Sequence, residues 1–114
     1  MIIRVLSLAI IFILINGCQE TSSTINKNEE DMVRNQLEAA DKKISIYLHI
    51  LDDEKKAKEE KTRILCKDYP ELYETQYMPA LLKLSPNDYT QEYLKADFKK
   101  VTDYYKKKLL IQCD

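Results

Sequence analysis

Few of the 114 residues have the types and spacing that catalysis requires. His49 is the only histidine, so a nucleophile would have one imidazole base available and a metal would have one imidazole ligand. The acidic side chains mostly precede bases at helical spacing, as Asp52 precedes Lys56, which is typical of a solvated helix surface. We therefore predict that the chain is not an enzyme and that it holds no metal and no cofactor.

A short apolar segment at the start of the chain ends in Gly17-Cys18. Arg4 gives this segment a positive beginning, and the apolar run 5–15 is interrupted only by Ser7. These eleven residues would reach about 16 Å as a helix, roughly half of a ~30 Å hydrocarbon core. The segment 1–17 is therefore predicted to be a cleaved signal peptide rather than a permanent membrane span.

The sequence LINGC at 14–18 resembles the lipobox of a bacterial lipoprotein. The resemblance implies that Cys18 becomes the first mature residue and carries acyl chains such as palmitate, which anchor a protein stably when there are two or more. Gln19 replaces the aspartate that retains lipoproteins in the inner membrane. The resemblance thus implies the outer membrane, facing the periplasm, or the cell membrane of a Gram-positive source. The alternative is a secreted protein with an incidental Cys18.

The lipid assignment accounts for one of three cysteines and leaves Cys66 and Cys113 as a pair. An oxidising compartment favours a disulfide between them. Closing a loop of about 47 residues would stabilise the fold by roughly 4 kcal/mol on the chain-entropy model. A zinc site is the weaker alternative, because two thiols without CxxC spacing and one histidine make a poor ligand set.

The composition argues against several kinds of ligand. The 18 basic and 19 acidic side chains give a formal net charge of −1, which becomes −2 when Arg4 leaves with the signal peptide. This balance gives no case for nucleic acid. Gly17 is the only glycine, so the mature chain has no phosphate-binding glycine loop.

Helical periodicity begins after a polar stretch. Residues 18–30 are predicted to be a lipidated flexible tether, and 31–114 a single helical domain. Apolar residues then recur at alternating steps of four and three, which predicts a long amphipathic first helix. This stripe comprises Val33, Leu37, Ala40, Ile44, Tyr47 and Leu51. His49 lies near its end and is predicted to be a core or edge residue.

The charged run 52–63 follows the first helix. Its helix formers predict either that the helix continues to about Cys66 or that a new helix restarts from a cap at Asp52 or Asp53. A middle helix is then predicted to open near Pro70 and to break or kink at Pro79, since an interior proline removes a backbone hydrogen bond.

The last helix is predicted to start at Ser85-Pro86, with serine as the cap and proline at the first helical position. Its apolar stripe is Leu94, Phe98, Val101, Tyr105 and Leu109. Cys113 would lie one turn further on the same face. The chain is therefore predicted to be all-α, an up-down-up arrangement of a long helix, a kinked middle helix and a long helix.

Eight tyrosines without a tryptophan are the unusual feature of the composition. One interpretation is that their rings fill a thin core while the hydroxyls reach water. The other is an aromatic contact surface, with Tyr73 and Tyr77 as the partner surface and Tyr69 buried. Replacement of Tyr73 by alanine distinguishes the two interpretations.

Two functions follow for the chain as a whole. The first is a membrane-anchored envelope lipoprotein that acts as a binding or structural adaptor module for a protein partner. The second is an inhibitor, immunity or exclusion lipoprotein that blocks a toxin, a lysozyme or a phage or plasmid apparatus. Neither hypothesis has a motif of its own.

Overall fold

The computed structural model describes residues 26–114, which form three helices joined by two short turns. The first helix is Lys27–Asp52, the middle helix runs through 58–84, and the last helix is Gln91–Leu109. This part of the chain contains no β-strand. The all-α arrangement of a long, a kinked and a long helix is confirmed. The signal peptide, Cys18 and the tether up to residue 25 lie outside the described residues.

The contacts at the helix ends fix the direction of each helix. Lys83 Nζ lies 3.0 Å from Glu29 Oε1, so the end of the middle helix meets the start of the first. The Tyr105 hydroxyl donates to Asp52 Oδ1 at 2.9 Å, so the last helix ends beside the end of the first. The helices therefore run up, down and up, as predicted.

The first helix begins inside the predicted tether. Asn26 is its cap, and the Asn26 Oδ1 accepts a hydrogen bond from the Glu29 N–H at 2.8 Å. Residues 27–30 are thus helical, which corrects the predicted boundary at 31. The predicted stripe is buried or half-buried throughout, but His49 is exposed on the last turn.

The connection between the first two helices differs from both predicted alternatives. The first helix ends at Asp52, and the Asp53 carboxylate accepts from the Lys55 N–H at 2.9 Å, which makes a local turn. The middle helix then begins at Lys58 after Ala57, which provides no side-chain cap. The helix restarts, but four or five residues later than the aspartate caps indicated.

Both interior prolines of the middle helix lie next to a π-helical turn. The segments Ile64–Asp68 and Tyr73–Tyr77 each end two residues before a proline. The N–H groups that follow them, of Tyr69 and Met78, bond to carbonyls five residues back. A wider turn moves the preceding carbonyl away from the proline ring, so the helix passes each proline without a break. The predicted opening near Pro70 is wrong.

The last helix starts later than predicted. Ser85 and Pro86 form a turn, in which the Tyr89 N–H donates to the Ser85 carbonyl at 3.3 Å. Thr90 is the actual cap, because its Oγ1 accepts from the Tyr93 N–H at 3.1 Å. Serine followed by proline is as typical of a turn as of a helix start, which explains the error.

The disulfide joins the start of the middle helix to the chain beyond the last helix. Cys66 and Cys113 are bonded, with Cα atoms 5.4 Å apart, and the predicted pairing is confirmed. Cys113 is not on the helix, however. Leu110 takes the left-handed conformation at φ 55° and ends the helix, and the buried Ile111 follows it.

The Cys66–Cys113 bond should account for a large share of the stability. A double variant, Cys66→Ser with Cys113→Ser, should lose about 4 kcal/mol of unfolding free energy, because the unfolded chain is no longer closed on itself. Urea unfolding followed by circular dichroism measures the loss. The wild type under reducing conditions should match the variant. Equal midpoints for oxidised wild type and variant would contradict the expectation.

Candidate binding cleft

A cleft of about 280 Å³ lies where the three helices meet. Five of the eight tyrosines line it, and two aspartates come from opposite sides. We call it the tyrosine cleft. Its tyrosines are Tyr69, Tyr73, Tyr77, Tyr89 and Tyr93, and its aspartates are Asp41 of the first helix and Asp97 of the last.

The π turns place three of these tyrosines along one face of the middle helix. In an α-helix, residues three and four apart share a face, whereas a turn closed by a bond across five residues brings together residues four and five apart. The rings of Tyr73 and Tyr77 are accordingly 5.1 Å apart and inclined by 30°. The rings of Tyr69 and Tyr73 meet edge to face at 6.4 Å.

Tyr73 anchors the middle helix to the last helix. Its hydroxyl donates to the Leu94 carbonyl at 2.9 Å, and its ring stacks on Phe98 at 4.4 Å. Only 5% of the residue is exposed, and this burial, more than the nearby Tyr77 and Asp97, raises the pKa of its phenol far above the ordinary value. The predicted partner surface at Tyr73 is therefore wrong, because the ring belongs to the core.

Tyr69 and Tyr77 lie about one turn before and one turn after Tyr73 in the middle helix. Tyr77 is half-buried, so it still lines the cleft, whereas Tyr69 is buried as predicted, with 4% of its surface exposed. The Tyr69 ring meets Phe98 edge to face at 4.9 Å. Periodicity on an ideal helix could not separate Tyr69 and Tyr73 from Tyr77, because it assumes α-turns throughout.

The Tyr69 hydroxyl has no hydrogen-bond partner among residues 26–114, although the residue is almost completely buried. No fully enclosed side-chain oxygen or nitrogen in this part of the chain lacks a partner. The Tyr69 hydroxyl is therefore not fully enclosed, and the residue lines the cleft. Burial first, then Tyr77 and Asp97, raise the pKa of Tyr69 to about 12.

The two aspartates face the cleft without a basic partner. Both Asp41 and Asp97 are exposed, and neither forms an ion pair within the described residues. Both stand close enough to Tyr77 to raise the pKa of its hydroxyl, after the larger effect of burial. The cleft thus combines neutral phenol rings with unpaired negative charge.

Sequence reasoning missed the aspartates and Tyr93. Tyr93 keeps 59% of its surface exposed, and its ring lies 6.2 Å from that of Tyr89. For Asp41 there was one signal, since no base stands three or four residues away on either side. Asp97 has Lys100 three residues later, a spacing typical of an ion pair on a helix surface. Nothing in the sequence therefore indicated that Asp97 lies at a cleft.

The remaining properties of the described residues concern metals and membranes. Residues 26–114 contain no group of three or more histidine, cysteine, aspartate or glutamate side chains placed to hold a metal ion. None of the helices described is both long enough and apolar enough to cross a membrane.

Comparison with known proteins gives no relative for this chain. No protein-family model matches it, and no curated protein and no solved structure matches it.

The burial of Tyr73 predicts a large effect on stability. Tyr73→Ala should lower the unfolding free energy by about 3 to 5 kcal/mol through the cavity it leaves. Tyr73→Phe should cost only about 1 kcal/mol, the net value of the bond to Leu94. Chemical denaturation measures both losses. The control is Tyr104→Ala, which should change the unfolding free energy little because this residue is 57% exposed. A loss of unfolding free energy below about 1 kcal/mol for Tyr73→Ala would show that this ring is not part of the core.

The raised pKa of Tyr69 predicts a loss of stability at alkaline pH. Unfolded tyrosine releases its proton near pH 10, whereas folded Tyr69 keeps its proton to about pH 12. Above pH 10 the unfolded state binds fewer protons, so the unfolding free energy falls as pH rises, by at most about 1.4 kcal/mol per pH unit for each such group. Denaturation at pH 8, 10 and 11 tests this, and Tyr69→Phe should flatten the slope. Constant stability across that range would refute the expectation.

Proposed function

We propose that this chain is a small lipid-anchored protein of the bacterial envelope that binds a protein partner through the tyrosine cleft. The role is that of a binding or adaptor module without catalysis. The observation that carries it is the cleft itself, which sets rings and unpaired carboxylates around an opening at the junction of all three helices. Tyrosine is enriched in protein contact surfaces, because its ring gives contact area and its hydroxyl gives a hydrogen bond.

The chemistry of the cleft supports binding rather than catalysis. The phenols of Tyr69, Tyr73 and Tyr77 have raised pKa values, because burial disfavours the charged form. They stay neutral at physiological pH, so none of them supplies a base or an anionic nucleophile. Neutral rings and fixed carboxylates are groups that hold a ligand in place.

The envelope location is supported by two independent features. The sequence at 14–18 resembles a lipobox, which would place acyl chains on Cys18. The Cys66–Cys113 bond fits a compartment in which disulfides persist. We propose the outer membrane, facing the periplasm, or the cell membrane of a Gram-positive source.

The rigidity of the scaffold supports a second candidate, an inhibitor, immunity or exclusion lipoprotein. A tight blocking contact benefits from a site that is formed before binding, since ordering a loop on contact weakens affinity. The cleft is built on helices, and the disulfide closes a covalent loop that includes all five of its tyrosines. The target would be a toxin, a lysozyme or a component of a phage or plasmid apparatus.

One experiment tests the anchor and the contact site together. Cells fed an alkynyl fatty acid express the full chain with a photo-crosslinking amino acid at position 93, or at position 104 as the exposed aromatic control. Light should join position 93, and not position 104, to a discrete envelope protein. The fatty-acid label should appear in both chains and vanish with Cys18→Ser.

Each half of the proposal can fail separately. A label that persists in Cys18→Ser would remove the lipid anchor. Identical cross-linking patterns from positions 93 and 104 would show that the cleft is not the contact site. An exclusion or inhibitor role predicts that the cross-linked protein is foreign to the cell, whereas an adaptor role predicts a resident protein.

A further inference from the structure

We infer that the tyrosine cleft receives the guanidinium group of an arginine side chain that projects from the protein partner. This inference rests on the proposed binding role and names the chemistry that the cleft recognises.

The charge at the cleft is negative and uncompensated. Asp41 and Asp97 reach it from the first and last helices, and within residues 26–114 no lysine or arginine pairs with either. Both carboxylates line the same cleft as the Tyr77 ring. Two unpaired carboxylates at one cleft attract a cation and repel an anion.

The ring faces add a second attraction for a cation. The half-buried Tyr77 lines the cleft, and the rings of Tyr89 and Tyr93 form a pair there with centroids 6.2 Å apart. The face of an aromatic ring carries partial negative charge, and guanidinium groups stack on it more often than ammonium groups do. The exposed ring of Tyr93 is available for such stacking at the cleft mouth.

The size of the cavity is compatible with a single side chain. Its volume of about 280 Å³ falls just below the range of pockets that enclose a drug-sized molecule, which begins at about 300 Å³. A flat group on a flexible stem can enter it while the rest of the partner stays outside. The opening therefore suits one projecting side chain better than a whole peptide or lipid.

The unpartnered hydroxyl of Tyr69 distinguishes arginine from lysine. This oxygen belongs to a residue that is 4% exposed and lines the cleft, and it can accept an N–H that reaches it. Guanidinium offers five N–H donors in a fixed plane, whereas an ammonium offers three from a single point.

The test uses NMR titration of the full chain in nonionic detergent. The probe is Nα-acetyl-arginine amide, and the matched control is Nα-acetyl-citrulline amide, which has the same shape without the charge. We expect millimolar arginine binding, with shifts at the amides of residues 77, 93 and 97, and about tenfold weaker citrulline binding. Asp41→Asn and Asp97→Asn should each weaken arginine binding about fivefold. Asp31→Asn, an exposed acid of the first helix outside the cleft, should leave it within about twofold.

Several results would overturn the inference. Equal binding of citrulline, or unchanged binding in both cleft variants, would remove the role of charge. Equal binding of Nα-acetyl-lysine amide would leave a general cation site without the guanidinium preference. Response to N-acetylglucosamine alone would assign the cleft to a sugar. If any of these occurs while position 93 still cross-links selectively, the binding role stands and only the arginine assignment fails.

Discussion

A proline inside a helix has no N–H to donate and its ring collides with the turn before it, and the middle helix contains two prolines, nine residues apart. The chain meets this constraint twice in the same way, with a π turn immediately before each proline. The tyrosines between and beside the prolines take their positions from those turns. Without the π turns, Tyr69, Tyr73 and Tyr77 would drift around the helix, and the cleft would lose one wall.

Tyr73 shows how a small domain uses an amphipathic ring where a larger core would use an aliphatic side chain. The ring gives the middle and last helices their closest aromatic contact, with Phe98 at 4.4 Å. The hydroxyl donates a hydrogen bond to the Leu94 carbonyl of the last helix, so the buried polar atom is satisfied. The same residue therefore joins two helices and lines the tyrosine cleft.

The sequence predicted the parts of the fold that depend on apolar spacing and cysteine count. The stripes from Val33 to Leu51 and from Leu94 to Leu109 lie against the core, and Cys66 pairs with Cys113. Boundaries that depend on capping alone were wrong by several residues, because Ser85-Pro86 is compatible with a turn or a helix start.

Of the candidate site, only the abundance of tyrosine was predictable, and the arrangement of its residues was not. The excess of tyrosine was visible, but which ring is buried depends on π turns that apolar periodicity does not reveal. Asp41 and Asp97 line one cleft because the first and last helices both pack against the middle helix, and Asp97 carried no local sign of its role. Tertiary contacts of this kind separate a solvated surface acid from one that faces a cleft.

The disulfide also divides the domain mechanically. The covalent loop from Cys66 to Cys113 encloses the last helix and most of the middle one, whereas the first helix is outside it. Noncovalent contacts such as Lys83 with Glu29, Gln36 with the Gln76 carbonyl and Tyr105 with Asp52 hold the first helix to the part of the domain inside this loop. The tyrosine cleft therefore has all five of its tyrosines and Asp97 inside the covalent loop, whereas Asp41 lies on the helix outside it.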